Sequence, residues 1–374
     1  MKKMMLMVVM TLLFLSGCGD SSNEATPASA MEGEKINETI SIITFGDNLM
    51  HMPVVNSGKQ SDGTYDYSHI FKHMERKIKR ADIAVMGQET IFGGKELGYS
   101  GYPAFNSPSE MGDTLAEVGF DVVLYASNHV FDRGAKGIRN TLEFWKKYPE
   151  MVVVGINEEE DEPIDIIEVK GAKIALLNYT YGTNDADSPM YLVDYMKESV
   201  IKEDAEFAEE NADFTVAFLH WGEEYHMKPN SEQKELAKKM CEWGVDLIIG
   251  AHPHVVQPVE WIESDNGNRM LVYYSLGNFV SRQLRAENIL GGMADVKLKY
   301  DGEEVKIKDY KFEPVVTHYN KSYSEFTVYP LRKYPEELAK EHGVVPHDGE
   351  VSIERWEKIL EETFEGYDDE VIER

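Results

Sequence analysis

Five apolar runs, each closed by a residue able to bind a metal or move a proton, constrain this chain more than anything else in it. Asp47 closes "TISIITFGD", Glu89 follows "DIAVMGQ", and Asn128 and His129 follow "DVVLYAS". His220 ends "FTVAFLH", and His252 and His254 follow "DLIIGA". Each run has the length and composition of a buried strand, and amphipathic stretches separate the runs, so the pattern is that of an α/β fold. Ligands of open α/β sheets gather at the carboxyl ends of strands. A lone histidine beside an apolar run is more often a hydrogen-bonded structural residue. Five strand ends loaded with Asp, Glu, Asn and His point instead to one shared site.

The rest of the chain fills in that alternation. "YSHIFKHMERKIKR" (67–80) has helical spacing, and "SPSEMGDTLAEVG" (107–119) has an early acidic residue and a terminal glycine, as a helix does. "FDVVLYASNH" (120–129) and "MVVVGI" read as strands, with the helical "GIRNTLEFWKKY" between them. "IDIIEVKGAKIALLNYTYG" (164–182) predicts two strands joined tightly at Lys170-Gly171, and Asn266-Gly267 marks a second hairpin within 259–279. Helices are expected over 191–211 and 231–244, with a strand over 214–220 between them. "MADVKLKY" and "VKIKDYKFEPVVTHY" close the β portion. Together these predict one α/β domain built on two sheets, residues 39–320, followed by a helical and irregular C-terminal appendage, 321–374.

The first residues are of another kind. Lys2 and Lys3 precede an apolar stretch from Met4 to Leu15, which is too short to span a bilayer and has the form of a secretory signal over 1–17. "LSGC" resembles the lipobox of bacterial lipoproteins, in which Cys18 becomes the lipidated N-terminus. Residues 18–38 would then be a flexible tether, rich in Ser, Asn, Ala and Pro. Several acyl chains on Cys18 would hold the mature protein stably on the outer, extracytoplasmic face of the cell membrane. Cys241 would be the only other cysteine, leaving no intrachain disulfide; its helical, apolar setting predicts a buried, inert thiol.

Charge excludes one class of partner. With 38 Lys and Arg against 67 Asp and Glu, the chain carries a formal charge of −29, and nucleic acid would require a basic footprint. Acidic tracts such as "EEEDEP" (158–163) and residues 361–374 are expected to be solvated faces.

The strand-end residues suit divalent metal. Imidazole favours ions such as Zn, Fe or Mn, while carboxylate and amide oxygens suit harder ions such as Mn. One Asp, one Glu, one Asn and three His are enough for two ions, and a pair about 3.5–4 Å apart can clamp a phosphoryl group during in-line attack. Other chemistry is thin. "GYSGYPAF" (98–105) has no nucleotide-cradle pattern, and Ser127 and Ser275 lack the elbow of a hydrolase nucleophile.

"FGDNLMH", "GQET", "SNHVFDRG", "LHWGEEY", "GAHPHVVQ" and "YSLGNF" occur in this order. Together they resemble the CapA family of poly-γ-glutamate capsule biosynthesis proteins, a branch of the calcineurin-like metallophosphoesterase superfamily, over residues 39 to 320. The resemblance implies a four-layer sandwich in which two packed β-sheets lie between helices. It implies that Asp47 and His254 bind one metal, that Asn128, His220 and His252 bind the other, and that Glu89 bridges them. His129 would contact the scissile phosphate and assist the leaving group. Asp132 would orient His129 across the intervening Val130 and Phe131. Glu224, Tyr225 and Asn278 lie in motifs typical of the branch, where both substrate contact and internal hydrogen bonding are open.

Two positions depart from the pattern. The superfamily has a histidine two residues after the first aspartate, where this chain has Leu49; His51 is nearby but off the spacing. Gly87 stands where the branch has asparagine. Weaker affinity at the first metal is therefore expected, although a catalytic site keeps open positions in any case.

Two functions follow. One is an extracytoplasmic, metal-dependent phosphoesterase-type hydrolase serving capsule polymer synthesis or export. The other is a non-catalytic, lipid-anchored accessory component of a membrane polymer-synthesis complex, with a vestigial metal site. The residues do not choose among Mn, Zn and Fe, nor name the bond that is cut. An anionic polymer or phosphoester is the substrate class, and membrane proteins of polymer synthesis are the expected partners. A chain this acidic repels a polyanion within about 8 Å at physiological salt, so polymer contact is expected near the metals or through partner proteins.

Overall fold

The computed structural model describes residues 36–160, 162–184 and 189–373. The expected signal peptide, Cys18 and most of the tether lie outside the described residues. Strands β1 (Glu38–Asn48), β2 (Ile83–Gly87), β3 (Val122–Leu124) and β4 (Val152–Val154) come first, running parallel in sequence order. Strands β5 (Asp165–Val169), β6 (Ala172–Thr180), β7 (Phe214–His220), β8 (Leu247–Ala251), β9 (Val256–Glu263) and β10 (Arg269–Leu276) form a separate sheet, ordered β5-β6-β7-β8-β10-β9. The chain then returns to the first sheet with β11 (Asn278–Val280), β12 (Leu290–Tyr300), β13 (Val305–His318) and β14 (Thr327–Pro330). That sheet reads β14-β13-β12-β1-β2-β3-β4, with β11 added parallel beside the end of β1.

Side-chain alternation explains why the sheets face one another. Phe214, Val216 and Phe218 of β7 enter the large core shared with the first sheet, whereas Ala217 and Leu219 enter a second core. The same split divides Leu271 and Tyr273 of β10 from Met270, Val272 and Tyr274. The second core is completed by Ile201 and Ala205 of the helix Glu198–Asn211 and by Ala237 and Met240 of the helix Ser231–Glu242. On the other side, Ile70, Met111, Leu115 and Ile138, from helices between the early strands, join the core of the first sheet. The expected two packed sheets flanked by helices are thus present, and both hairpins fall at the predicted turns.

Local rules set the ends of several elements. The helix Ser231–Glu242 starts in a reciprocal capping box, with Gln233 N–H donating to Asn230 Oδ1 at 2.9 Å and Asn230 N–H to Gln233 Oε1 at 3.0 Å. The helix Glu110–Val118 ends at Gly119, whose φ of 95° is left-handed.

Four stretches differ from expectation. The helix expected over 67–80 is two single turns, Ser68–Phe71 and Glu75–Ile78. Between them Met74 N–H bonds back to Phe71, a tighter step than an α-helix makes. Strand β3 keeps only three residues of 120–129, leaving 125–129 free to build the site. The helix expected from 191 begins at Glu198, because Val193 and Tyr195 are held extended by bridges to Ile156 and Thr180. The C-terminal segment supplies edge strand β14, a helix Ile353–Phe364 with Trp356, Leu360 and Phe364 buried, and a backbone pairing in which Phe312 N–H donates to the Val371 carbonyl and Glu373 N–H to the Phe312 carbonyl. Fully buried Glu313 meets Lys77 and Arg332, and both cations also reach Glu373.

Candidate metal centre

Strand register brings the expected residues to one place. In the first sheet Asp47 is level with Gly87 of β2 and Asn278 of β11, and Gly87 is level with Leu124 of β3. In the second, Thr180, His220 and Ala251 stand in line across β6, β7 and β8. The residues just beyond these ends are Glu89, Asn128, His129, His252 and His254. Asp47 Oδ2 accepts the backbone N–H of His252 at 3.1 Å, which ties the ends of the two sheets together.

The side chains form two adjoining groups. Asp47, Glu89 and His254 can direct ligand atoms to a common point, with Asp47 Oδ2 3.7 Å from His254 Nδ1 and Glu89 Oε1 3.8 Å from His254 Nε2. Beside them, His220 Nε2 lies 2.9 Å from Asn128 Oδ1 and 3.2 Å from His252 Nδ1. His220 Nδ1 lies 3.9 Å from Asp47 Oδ1 and links the groups. Glu224, His252 and His254 make a further triad, with Glu224 reaching in from an exposed loop.

Burial sets the electrostatics. Both carboxylate oxygens of Glu89 are buried without a hydrogen-bond partner. Burial, and then repulsion from Asp47, Glu224 and Asp132, pushes its carboxyl well above the usual range. Burial raises Asp47 to about 7 against the opposing His252 N–H. It also holds His254 down to about 3 and His252 to about 4, with neighbouring imidazoles adding to the effect, and keeps His220 well below its ordinary value. Neutral imidazoles are the form that binds metal. A buried carboxylate with two unused oxygens is costly in isolation, and a divalent cation offsets that cost. The donor set fits such an ion.

The backbone is strained at the same place. His252 and His254 have φ of 95° and 55°, in the left-handed region. Non-glycine residues held there cost on the order of 1–3 kcal/mol each and cluster at functional sites. Tyr225, at φ 67°, is half-exposed, and its ring lies 6.2 Å from that of His254.

His129 stands beside the two groups. Its Nδ1 lies 2.7 Å from Asp132 Oδ2, so the intervening Val130 and Phe131 do not separate the pair. Asn278 is fully buried and engaged in internal hydrogen bonds. Its Oδ1 lies 3.0 Å from His254 Nδ1, while its amide nitrogen donates to the Asn288 carbonyl at 2.8 Å and to Gln283 Oε1 at 3.0 Å. Because the amide nitrogen points to a carbonyl, Oδ1 must accept from His254, leaving His254 Nε2 with its lone pair toward Glu89. Leu49 is buried, and His51 Nδ1 instead accepts the Arg282 backbone N–H at 3.3 Å.

Three contributors escaped the sequence. Tyr181, half-exposed, sets its ring 4.6 Å from that of His252. Asn184 brings its amide 3.2 Å from His129 Nδ1 and donates its backbone N–H to the Asn128 carbonyl. Phe105 packs edge-on to His129 at 4.7 Å. Tyr181 directly follows β6, so the strand-end rule reaches it; Asn184 and Phe105 lie on loops with no such signal.

Fold and site define an α/β protein of two facing sheets with a candidate divalent-metal centre where their strands end. Residues 41–283 match the family of the bacterial capsule synthesis protein PGA_cap, and the chain belongs to that family. It is 28% identical over 273 residues to the capsule biosynthesis protein CapA of Bacillus anthracis, covering 70% of this chain and 64% of that protein. It is 34% identical over 178 residues to the PGA biosynthesis protein CapA of Bacillus subtilis strain 168, covering 45% and 44%. The match thus spans less than two thirds of either relative. Among solved structures, a putative 5'-nucleotidase from Staphylococcus aureus is similar at a TM-score of 0.48 and 15% identity, covering 74% of this chain and 54% of that one. The calcineurin-like phosphoesterase YfkN from Bacillus subtilis is similar at 0.44 and 17%, covering 75% and 91%.

Proposed function

We propose that this chain is a metal-dependent, phosphoesterase-type hydrolase serving capsule polymer synthesis or export, held by Cys18 on the outer face of the cell membrane. The observation that carries the hydrolase reading is Glu89, buried with both oxygens unpartnered between Asp47 and His254. Asp47, Glu89 and His254 would hold one divalent ion, and Asn128, His220 and His252 the other, with Glu89 between them. Ions there would supply Lewis acidity and make a water acidic near neutral pH.

The chain's own groups do the rest. Asn278 fixes His254 with Nε2 unprotonated and toward the centre. Asp132 accepts a hydrogen bond from Nδ1–H of His129, and in its imidazolium form His129 would carry a second proton on Nε2 that it could give to the departing oxygen, returning to the neutral ring. Tyr181 and Tyr225, beside His252 and His254, offer aromatic faces to the part of the substrate beyond the reacting group.

One observation favours the second reading, an accessory component with a vestigial site. Leu49 is buried and His51 is bonded elsewhere, so a first ion would have only Asp47, Glu89 and His254 as protein ligands. Metal content and cleavage of a model phosphodiester, measured beside His252→Ala and His129→Ala, separate the two. The hydrolase reading expects about two ions per wild-type chain, metal loss in H252A, and activity loss with metal retained in H129A. A wild-type protein that holds no metal at micromolar concentrations supports the accessory role.

A further inference from the structure

Segments Asp47–His51 and Asn278–Arg282 leave the centre side by side. Asp47 pairs with Asn278 and Asn48 with Val280, Leu49 N–H bonds to the Val280 carbonyl at 2.9 Å, and Arg282 N–H bonds to His51 Nδ1 at 3.3 Å. His51 in turn sets its ring edge-on to Phe105, 5.4 Å away, and Phe105 touches His129. Arg282 thus sits four residues beyond the buried anchor of His254, no more than about 14 Å from it along the chain.

Its guanidinium differs from those of three other arginines. Arg133, Arg332 and Arg355 are bonded to carbonyls or carboxylates. Among the described residues, the Arg282 head group has no ion-pair partner and no hydrogen bond, and its Nε is buried. Its Cζ lies over the Tyr323 ring, 4.2 Å from the ring centre. In a chain of net charge −29, such an arginine, kept free of carboxylates and pre-set by an aromatic platform, has its hydrogen-bonding fork available. That fork matches the planar or tetrahedral oxyanion of a carboxylate or phosphate.

We propose that Arg282 is an anion-recognition residue at the rim of the metal centre, binding a carboxylate or phosphate that the substrate carries beyond its reacting group. This names a substrate feature for the hydrolase reading and rests on it: the substrate has a second anionic group. It also accounts for how so acidic a protein contacts an anionic ligand, at one local point rather than over a surface.

The test is calorimetric titration of the full chain in chelator with two probes, the γ-linked trimer of glutamate and inorganic phosphate. Wild type is compared with Arg282→Gln, and with Arg282→Lys, which keeps the charge without the fork. At least one probe is expected to bind wild type, tenfold or more weakly to R282Q, and at an intermediate level to R282K. Loss confined to the trimer identifies a carboxylate source, and loss confined to phosphate a phosphoryl source. If neither probe binds wild type, or if all three proteins bind alike, the proposal is overturned; should R282Q not fold, the comparison with R282K decides. Because chelator removes metal, anion binding that persists in a protein without hydrolase activity leaves Arg282 standing and removes only the catalytic reading.

Discussion

Asp132 holds His129 and the loop before it with one atom: Oδ2 lies 2.7 Å from His129 Nδ1 and accepts the Phe105 N–H at 2.6 Å. A charged acceptor in this place fixes the histidine tautomer. Asp132→Asn keeps the shape and removes the charge, so hydrolysis is expected to fall by about 100-fold. Metal content should stay at the wild-type level. Parallel loss of metal would show that Asp132 acts on the ligands instead.

Glu89 makes opposite demands on the free and metal-loaded protein. In chelator, Glu89→Gln replaces a buried, unpartnered carboxyl by a neutral amide and should stabilise the fold by about 1–2 kcal/mol. With manganese or zinc present, the same variant should be the less stable one, since a ligand is gone. Thermal unfolding with and without metal reads both signs. A variant less stable under both conditions would remove the metal from the account of Glu89.

Asp246 predicts a pH dependence away from the centre. It accepts the Thr215 N–H at 2.8 Å between β7 and β8, and burial raises its carboxyl to about 7 from an ordinary 3.8. The folded chain therefore holds a proton that the unfolded chain releases between these values. The contribution of Asp246 to stability is full below about pH 4 and is lost as pH rises to about 7. His318 and His342, lowered by burial to about 4 and about 3, work the other way, their contribution being lost as pH falls below about 6.5. Asp246→Asn isolates the first effect: its melting temperature should exceed wild type most at pH 8 and converge with it near pH 4. A difference independent of pH would contradict this.

Glu313 is the buried hub between Lys77 and Arg332. Glu313→Ala leaves two partly buried cations facing one another, with only Glu373 to share. A loss of about 2–3 kcal/mol is expected, below the figure for fully buried pairs because both cations are part-exposed. Chemical denaturation measures it. Glu373→Gln should cost well under half as much.

The strand ends were legible because each apolar run stops abruptly at a polar residue, a pattern that needs no knowledge of pairing. The hairpins at Lys170-Gly171 and Asn266-Gly267 were legible for the same local reason, since the turn demands those residues. What sequence could not supply was partnership. Whether Asn278 faces substrate or supports His254 depends on the carbonyl of Asn288, which only the folded chain brings near. The unwound stretch at 193–197 follows from bridges to Ile156 and Thr180, a tertiary override of helical propensity. The left-handed backbone of His252 and His254 carries no signal in composition either.

The hydrogen bond between Asp47 and His252 spans 205 positions of the chain. Contacts so distant in sequence form late, after the entropy of closing the intervening loop has been met. A growing or unfolded chain thus offers only scattered imidazoles and carboxylates, with no preformed cage. First-row metals rank by intrinsic affinity unless geometry and supply intervene. Selection of any ion at this centre would therefore be deferred until both halves of the chain have met, and would fall to whichever compartment completes the fold.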